Sequence, residues 1–133
     1  MAKLFLNVSN HSLTKDQMSE IQTKGFSVME LEEDLKKAWG SMNPSNWRKT
    51  CDEVIRVVLT YDDLETPVET ALVAGYTPAV VYLTNELNKY ETTPLYAHTD
   101  RVSVEKANED GTVTKTNVFK HTGFYNIISG ERW

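Results

Sequence analysis

The chain has 133 residues, 40% of them hydrophobic and 25% charged, and a formal net charge of −5, the composition of an ordinary folded domain. That acidic balance excludes a general duplex-DNA binder, which carries a basic footprint. No apolar run approaches the ~20 residues that span a bilayer, so no membrane partner is expected. The single Cys51 has no partner for an internal disulfide and the N-terminus lacks the regions of a signal peptide, so a cytoplasmic protein is expected.

In chain order, Lys3–Val8 reads as a buried strand and Ser9–Ser12 as the loop after it. Thr14 with Gln17 forms a capping box, and Leu13 and Met18 are placed for a hydrophobic staple, so a helix is predicted to about Lys24, stopped by Gly25. Phe26–Leu31 is a second strand, which makes a right-handed parallel β-α-β unit. A short helix over 32–39 follows, broken by Gly40–Pro44. A longer one over 45–60 carries Trp47, Cys51, Val54, Ile55 and Val58 as an apolar stripe. Residues 62–67 read as a polar loop and Thr70–Ala74 as the third strand.

At Ala74-Gly75-Tyr76-Thr77-Pro78 the apolar run stops and a helical pattern opens. Gly75 permits a tight turn, Thr77 is placed as N-cap and Pro78 as first helical residue. Such a strand–turn–helix junction points free backbone N–H groups past the strand's carboxyl end, where open α/β sheets bind anionic ligands. After this fourth helix, Leu95–Ala97 reads as a fourth strand ending in a loop, His98–Arg101. Asp110-Gly111 between β-rich arms over 102–106 and 113–119 predicts a projecting hairpin, and 124–128 a final edge strand. The expected fold is a three-layer α/β sandwich with a mostly parallel sheet in the order 2-1-3-4 and a C-terminal β-hairpin. It forms a single domain over 1–133, with a core to residue 100 and the hairpin and edge strand over 101–128.

Three loops thus fall at one edge of the sheet: 7–11, 75–77 and 98–101. Ser9 and Asn10 offer hydrogen bonds to phosphate or ribose, or simply build a turn. His11 and His98 are proton-transfer candidates, or ordinary surface histidines. Arg101 suits a phosphate through its fork of donors, or pairs with Asp100 or Glu105. Lys120 and His121 are weaker candidates. From His98 onward Arg101, Lys106, Lys115, Lys120 and Arg132 balance Asp100, Glu105, Glu109, Asp110 and Glu131, so an anion there does not conflict with the overall charge. The cysteine and histidines lack zinc spacing, no Walker A or full GxGxxG motif is present, and Asp62, Asp63, Glu65 and Glu69 read as a solvated loop. No metal or other cofactor is expected.

The blocks Leu4–His11, Ala74–Pro78, Tyr96–Ser103 and Val118–His121 together resemble the small stand-alone CRISPR-associated Rossmann-like (CARF-like) proteins of type III systems. The resemblance implies a homodimer that binds cyclic oligoadenylate, foremost cyclic tetra-adenylate, in antiviral defence, and a ring nuclease that cleaves it without a metal through 2′-OH attack. By position, Ser9, Asn10 and His11 would line the first loop, Gly75, Tyr76 and Thr77 the anion-binding turn, and Thr99 and Arg101 would flank the fourth strand. Tyr76-Thr77-Pro78 is bulkier than a turn built for close phosphate approach. Three functions stay open: a ring nuclease, a binding module that senses or sequesters the nucleotide, and an α/β interaction protein without a nucleotide ligand.

Overall fold

A computed structural model describes residues 3–133. The elements run β1 (Lys3–Val8), α1 (Lys15–Thr23), β2 (Phe26–Glu30), α2 (Glu33–Gly40), α3 (Trp47–Asp63), β3 (Val68–Val73), α4 (Thr77–Lys89), β4 (Thr93–Ala107) and β5 (Val113–Asn126). They form one five-stranded sheet in the order β2-β1-β3-β4-β5, parallel except for the antiparallel β4–β5 pair. The fold is therefore mixed α/β with a mostly parallel sheet, in the strand order that the β-α-β pattern predicts.

Burial on both faces explains the near-continuous apolar runs of β1 and β3. Successive residues of β1 enter different clusters. Phe5 packs with Ile21 of α1, Leu72, Leu95 and Phe124, whereas Leu6 and Val8 pack with α2, α3 and α4 through Trp39, Val54, Val58, Leu83 and Leu87. The capping box at α1 is present in full, with Gln17 N donating to Thr14 Oγ1 (3.2 Å) and Thr14 N to Gln17 Oε1 (2.9 Å).

The largest departure from expectation lies after Leu95. No loop forms at 98–101, because β4 continues without a break through His98, Thr99, Asp100 and Arg101 to Ala107. Its partner is far away in sequence: Thr99 pairs with His121 and Arg101 with Phe119, with a register shift at His98/Thr99. No glycine or proline ends the strand there, and continuing the ladder satisfies the backbone groups that a loop would leave to water. The hairpin arms and edge strand thus merge into two long strands, and a division between residues 100 and 101 falls inside β4.

At the base of this ribbon, His121 Nε2 lies 3.1 Å from Glu20 Oε1 of α1, and Arg132 Nη2 lies 3.8 Å from the same oxygen. Arg132 Nη1 also donates to Thr122 O (2.9 Å). Both side chains of the His121–Glu20 pair are largely buried, at 7% and 16% exposure. Removing one member leaves the other poorly solvated. Glu20→Ala should lower stability by about 1–3 kcal/mol, read as a lower urea midpoint at unchanged slope; an unchanged midpoint would show the cluster to be solvated.

Cys51 is fully buried on the inner side of α3, with Sγ donating to Ala79 O at 3.6 Å. Burial pushes its thiol up to about 12. The thiolate is the reactive form, so Cys51 should resist a disulfide reagent at pH 8 and react only when the chain unfolds. Rapid labelling of native protein, followed by absorbance, would contradict this.

Candidate functional site

The chain leaves β1 in one direction to form β2 and returns on the other side of β1 as β3, so the carboxyl ends of β1 and β3 diverge at a topological switch point. Ala74 N donates to Val8 O (3.1 Å), closing the two strand ends together. Above this junction lies a cleft of about 500 Å³, lined by Asn10 and His11 after β1, Trp39, Gly40 and Met42 from the end of α2, and Ala74, Gly75, Tyr76 and Thr77 after β3.

A buried network shapes the first loop. The Asn7 amide, fully enclosed, donates through Nδ2 to His11 O (2.9 Å) and to Glu30 Oε2 (3.0 Å). Its Oδ1 accepts from Ser9 Oγ (2.7 Å), and His11 N donates back to Ser9 Oγ (3.2 Å). Ser9 is buried within this turn, while Asn10 and His11 are exposed above it. His11 also borders a smaller depression of about 260 Å³ on the α1 side, so it stands on the crest between two clefts.

The second wall depends on Trp39. Its indole Nε1 donates to Ala74 O at 2.8 Å. Gly75 has φ +153°, and a Cβ built there would lie 2.8 Å from that same Nε1. The glycine's first task is thus to admit the indole. Gly40 has a parallel role, since a Cβ there would lie 2.7 Å from Asn10 Cγ. Helix α4 begins one residue earlier than expected. Tyr76 is its N-cap, without a side-chain cap bond, and Thr77 opens the helix with Pro78 in the first turn. The φ/ψ of Tyr76 (−60°, 121°) makes the boundary, and Thr77 is therefore not the cap.

Asn10, His11, Gly75, Tyr76 and Thr77 are thus brought together, with Ser9 beneath them. His98, Thr99 and Arg101 line neither cleft. They sit on the ribbon, with His98 Nε2 3.2 Å from Asp100 Oδ1 and Arg101 beside Phe119 on the face that carries Thr99 and His121. Two residues outside the sequence candidates shape the site: Asn7, which holds the loop, and Trp39, which read as core. Trp39 is indeed buried, but nothing local in the sequence marks Ala74 O as its acceptor.

No Lys, Arg, Asp or Glu lines the switch-point cleft. A depression of about 420 Å³ between α2 and α3 differs, since it gathers Glu32, Asp34 and Glu53 around a single Arg56. That field disfavours an anion there. Among the described residues no cluster of His, Cys, Asp and Glu suits a metal ion, and no helix is long and apolar enough to cross a membrane.

Fold and cleft together define an α/β protein with a ligand-sized opening at the switch point of a mostly parallel sheet. The family model described as the Uncharacterized protein MJ1673 family matches residues 3–125, and the chain belongs to that family. No curated protein and no solved structure matches it. The family description names no activity.

Gly75→Ala tests the construction of the site. The new methyl must displace the indole and hold a backbone conformation that L-residues rarely adopt, at a cost of roughly 1–3 kcal/mol. A lowered melting temperature with altered tryptophan fluorescence is expected. A variant as stable as the wild type, with unchanged emission, would show that the Trp39–Ala74 contact does not shape the cleft.

Proposed function

We propose that the switch-point cleft binds an anionic nucleotide, specifically a cyclic oligoadenylate such as cyclic tetra-adenylate, and that the protein acts on it as a metal-independent ring nuclease in a cytoplasmic antiviral system of CRISPR type III. The reading includes a homodimer and takes the architecture as a three-layer, Rossmann-like sandwich of the CARF-like kind. The observation that supports it is the convergence of Asn10 and His11 with Gly75–Thr77 on one cleft at the switch point.

The chemistry needs few groups. A ribose 2′-OH of the ligand attacks its own adjacent phosphorus, the bond to the 5′-oxygen breaks, and a 2′,3′-cyclic phosphate and a 5′-hydroxyl result. Holding that geometry in line supplies much of the barrier reduction, on the order of 7–11 kcal/mol at best. Asn10 orients the phosphate or ribose. The first turn of α4, with its partial positive charge, faces the anion. His11 is the proton carrier, since it lines the cleft whereas His98 lies on the ribbon against Asp100. Thr99 and Arg101, which the resemblance places at the site, stand outside the cleft on the ribbon face that carries His121 toward α1, so they enter this reading only for a ligand that reaches past the cleft.

The neutrality of those walls favours a second reading. A cleft with one histidine and no lining cation suits a module that holds the nucleotide without cutting it. Incubation with labelled cyclic tetra-adenylate separates the two. Cleavage supports the nuclease, retention of intact ligand supports the binding module, and absence of binding leaves an α/β interaction protein.

Variants refine the test. Arg101→Ala tests that reach in titration calorimetry: a loss of roughly 1.5–3 kcal/mol, the scale of a charge-assisted hydrogen bond, sets the ligand against the ribbon, and unchanged affinity confines it to the cleft. His11→Ala should slow cleavage by about 10²–10⁴-fold at nearly unchanged affinity, because proton transfer assists the transition state. Wild-type cleavage by His11→Ala would leave positioning alone to carry the reaction.

A further inference from the structure

We propose that one face of the β4–β5 ribbon is the docking surface for a second copy of this chain, packed face to face and antiparallel about Ser103. This deepens the homodimer of the reading above and rests on it, but it does not depend on the ligand.

Beyond Leu95, β4 has no strand partner except β5, and every residue from His98 to Lys120 is exposed apart from Asn108. A two-stranded ribbon is marginal without a layer to pack on. The cross-strand register sorts its side chains. One face carries Asp100 opposite Lys120, Val102 opposite Val118, Val104 opposite Thr116 and Lys106 opposite Thr114. The valines on this face are exposed by 40%, 47% and 47% for Val102, Val104 and Val118, and they form an unbroken apolar strip with charges at both ends. On the opposite face Phe119 and Val113 are separated by Ser103–Asn117 and by the Glu105–Lys115 ion pair, so no strip forms there.

The charges indicate the occupant. A two-fold axis over Ser103 lays one β4 antiparallel across the other. It sets Val102 against Val104 of the second copy and Asp100 against Lys106 of the second copy, each contact occurring twice. Lys120 then lies over Thr114 of the second copy, so each end of the strip carries one Asp100–Lys106 contact with no like charges directly opposed. A parallel two-fold would also oppose charges, through Asp100 and Lys120, but it brings both α/β bodies to the same end of the ribbon. The antiparallel one places them at opposite ends.

Sedimentation equilibrium of the full chain tests this, with circular dichroism to verify folding. A micromolar dimer is expected. Val104→Lys should weaken it at least ~10-fold, as for truncation of a buried interface anchor. Asp100→Lys and Lys106→Asp should each weaken it, and the double variant Asp100→Lys/Lys106→Asp should restore it, because each new charge again meets its opposite across the axis. A monomeric wild type, with the strip serving some other partner, overturns the proposal. So does a dimer indifferent to Val104→Lys, which would place the interface elsewhere, or a failure of the double variant to restore association. Titration of Val104→Lys with cyclic tetra-adenylate reads the ligand separately: binding there with a failed dimer test leaves the cleft reading intact, and no binding by the wild type removes that reading while the ribbon result stands.

Discussion

The hydrogen bond from the Trp39 indole to the carbonyl of Ala74 fixes the geometry around which this protein is organised. Its acceptor is the last residue before the turn after β3, and its donor lies on the penultimate residue of α2. One bond therefore pins a helix that follows β2 to the end of a strand that follows α3. It can form only because Gly75 offers no side chain where the ring must pass. With the indole seated, Gly40 is brought against Asn10, and the ends of α2, β1 and β3 become the walls of one cleft. A buried indole N–H without an acceptor would cost about 1–3 kcal/mol, so burial of the ring and construction of the cleft are a single requirement.

The first loop obeys the same logic. A fully buried amide at Asn7 is costly unless its donors and acceptor are satisfied. The backbone carbonyl of His11, the carboxylate of Glu30 and the hydroxyl of Ser9 supply those partners. That network turns the chain sharply at Ser9 and leaves Asn10 and His11 above the sheet edge. Because Ser9 is committed to the turn, its hydroxyl faces inward and what it gives the cleft is the shape of the loop.

Features decided over a few residues were legible in the sequence. The Thr14/Gln17 capping box, the near-continuous apolar run of β1 and the β-α-β order all follow from local pattern, and the strand order follows from them. The convergence of the 9–11 and 75–77 segments was legible for the same reason, since parallel strands present their carboxyl ends on one edge. The fate of His98–Arg101 was not. Those residues read as a loop because they are polar, yet their backbone pairs with residues some twenty positions onward, and no local signal reports that partner. Trp39 shows the same limit from the other side: its burial is readable from its apolar neighbours, its acceptor 35 residues away is not.

The consequence is a division of labour between cleft and ribbon. The cleft holds shape and polar groups but no charged side chain, while Arg101, Lys106 and Lys120 stand on the ribbon. The two are mechanically joined. β4 enters the ribbon directly from its pairing with β3, Leu72 against Leu95, and β3 ends two residues before Gly75. Thr92 Oγ1 donates to Val68 O (2.8 Å), fixing the start of β4 against the start of β3. The His121–Glu20–Arg132 cluster ties the ribbon's base to α1. A change in ribbon direction must therefore strain β3 or break that cluster. In the proposed dimer, docking of a second copy reinforces a ribbon direction that the single chain already fixes at its base.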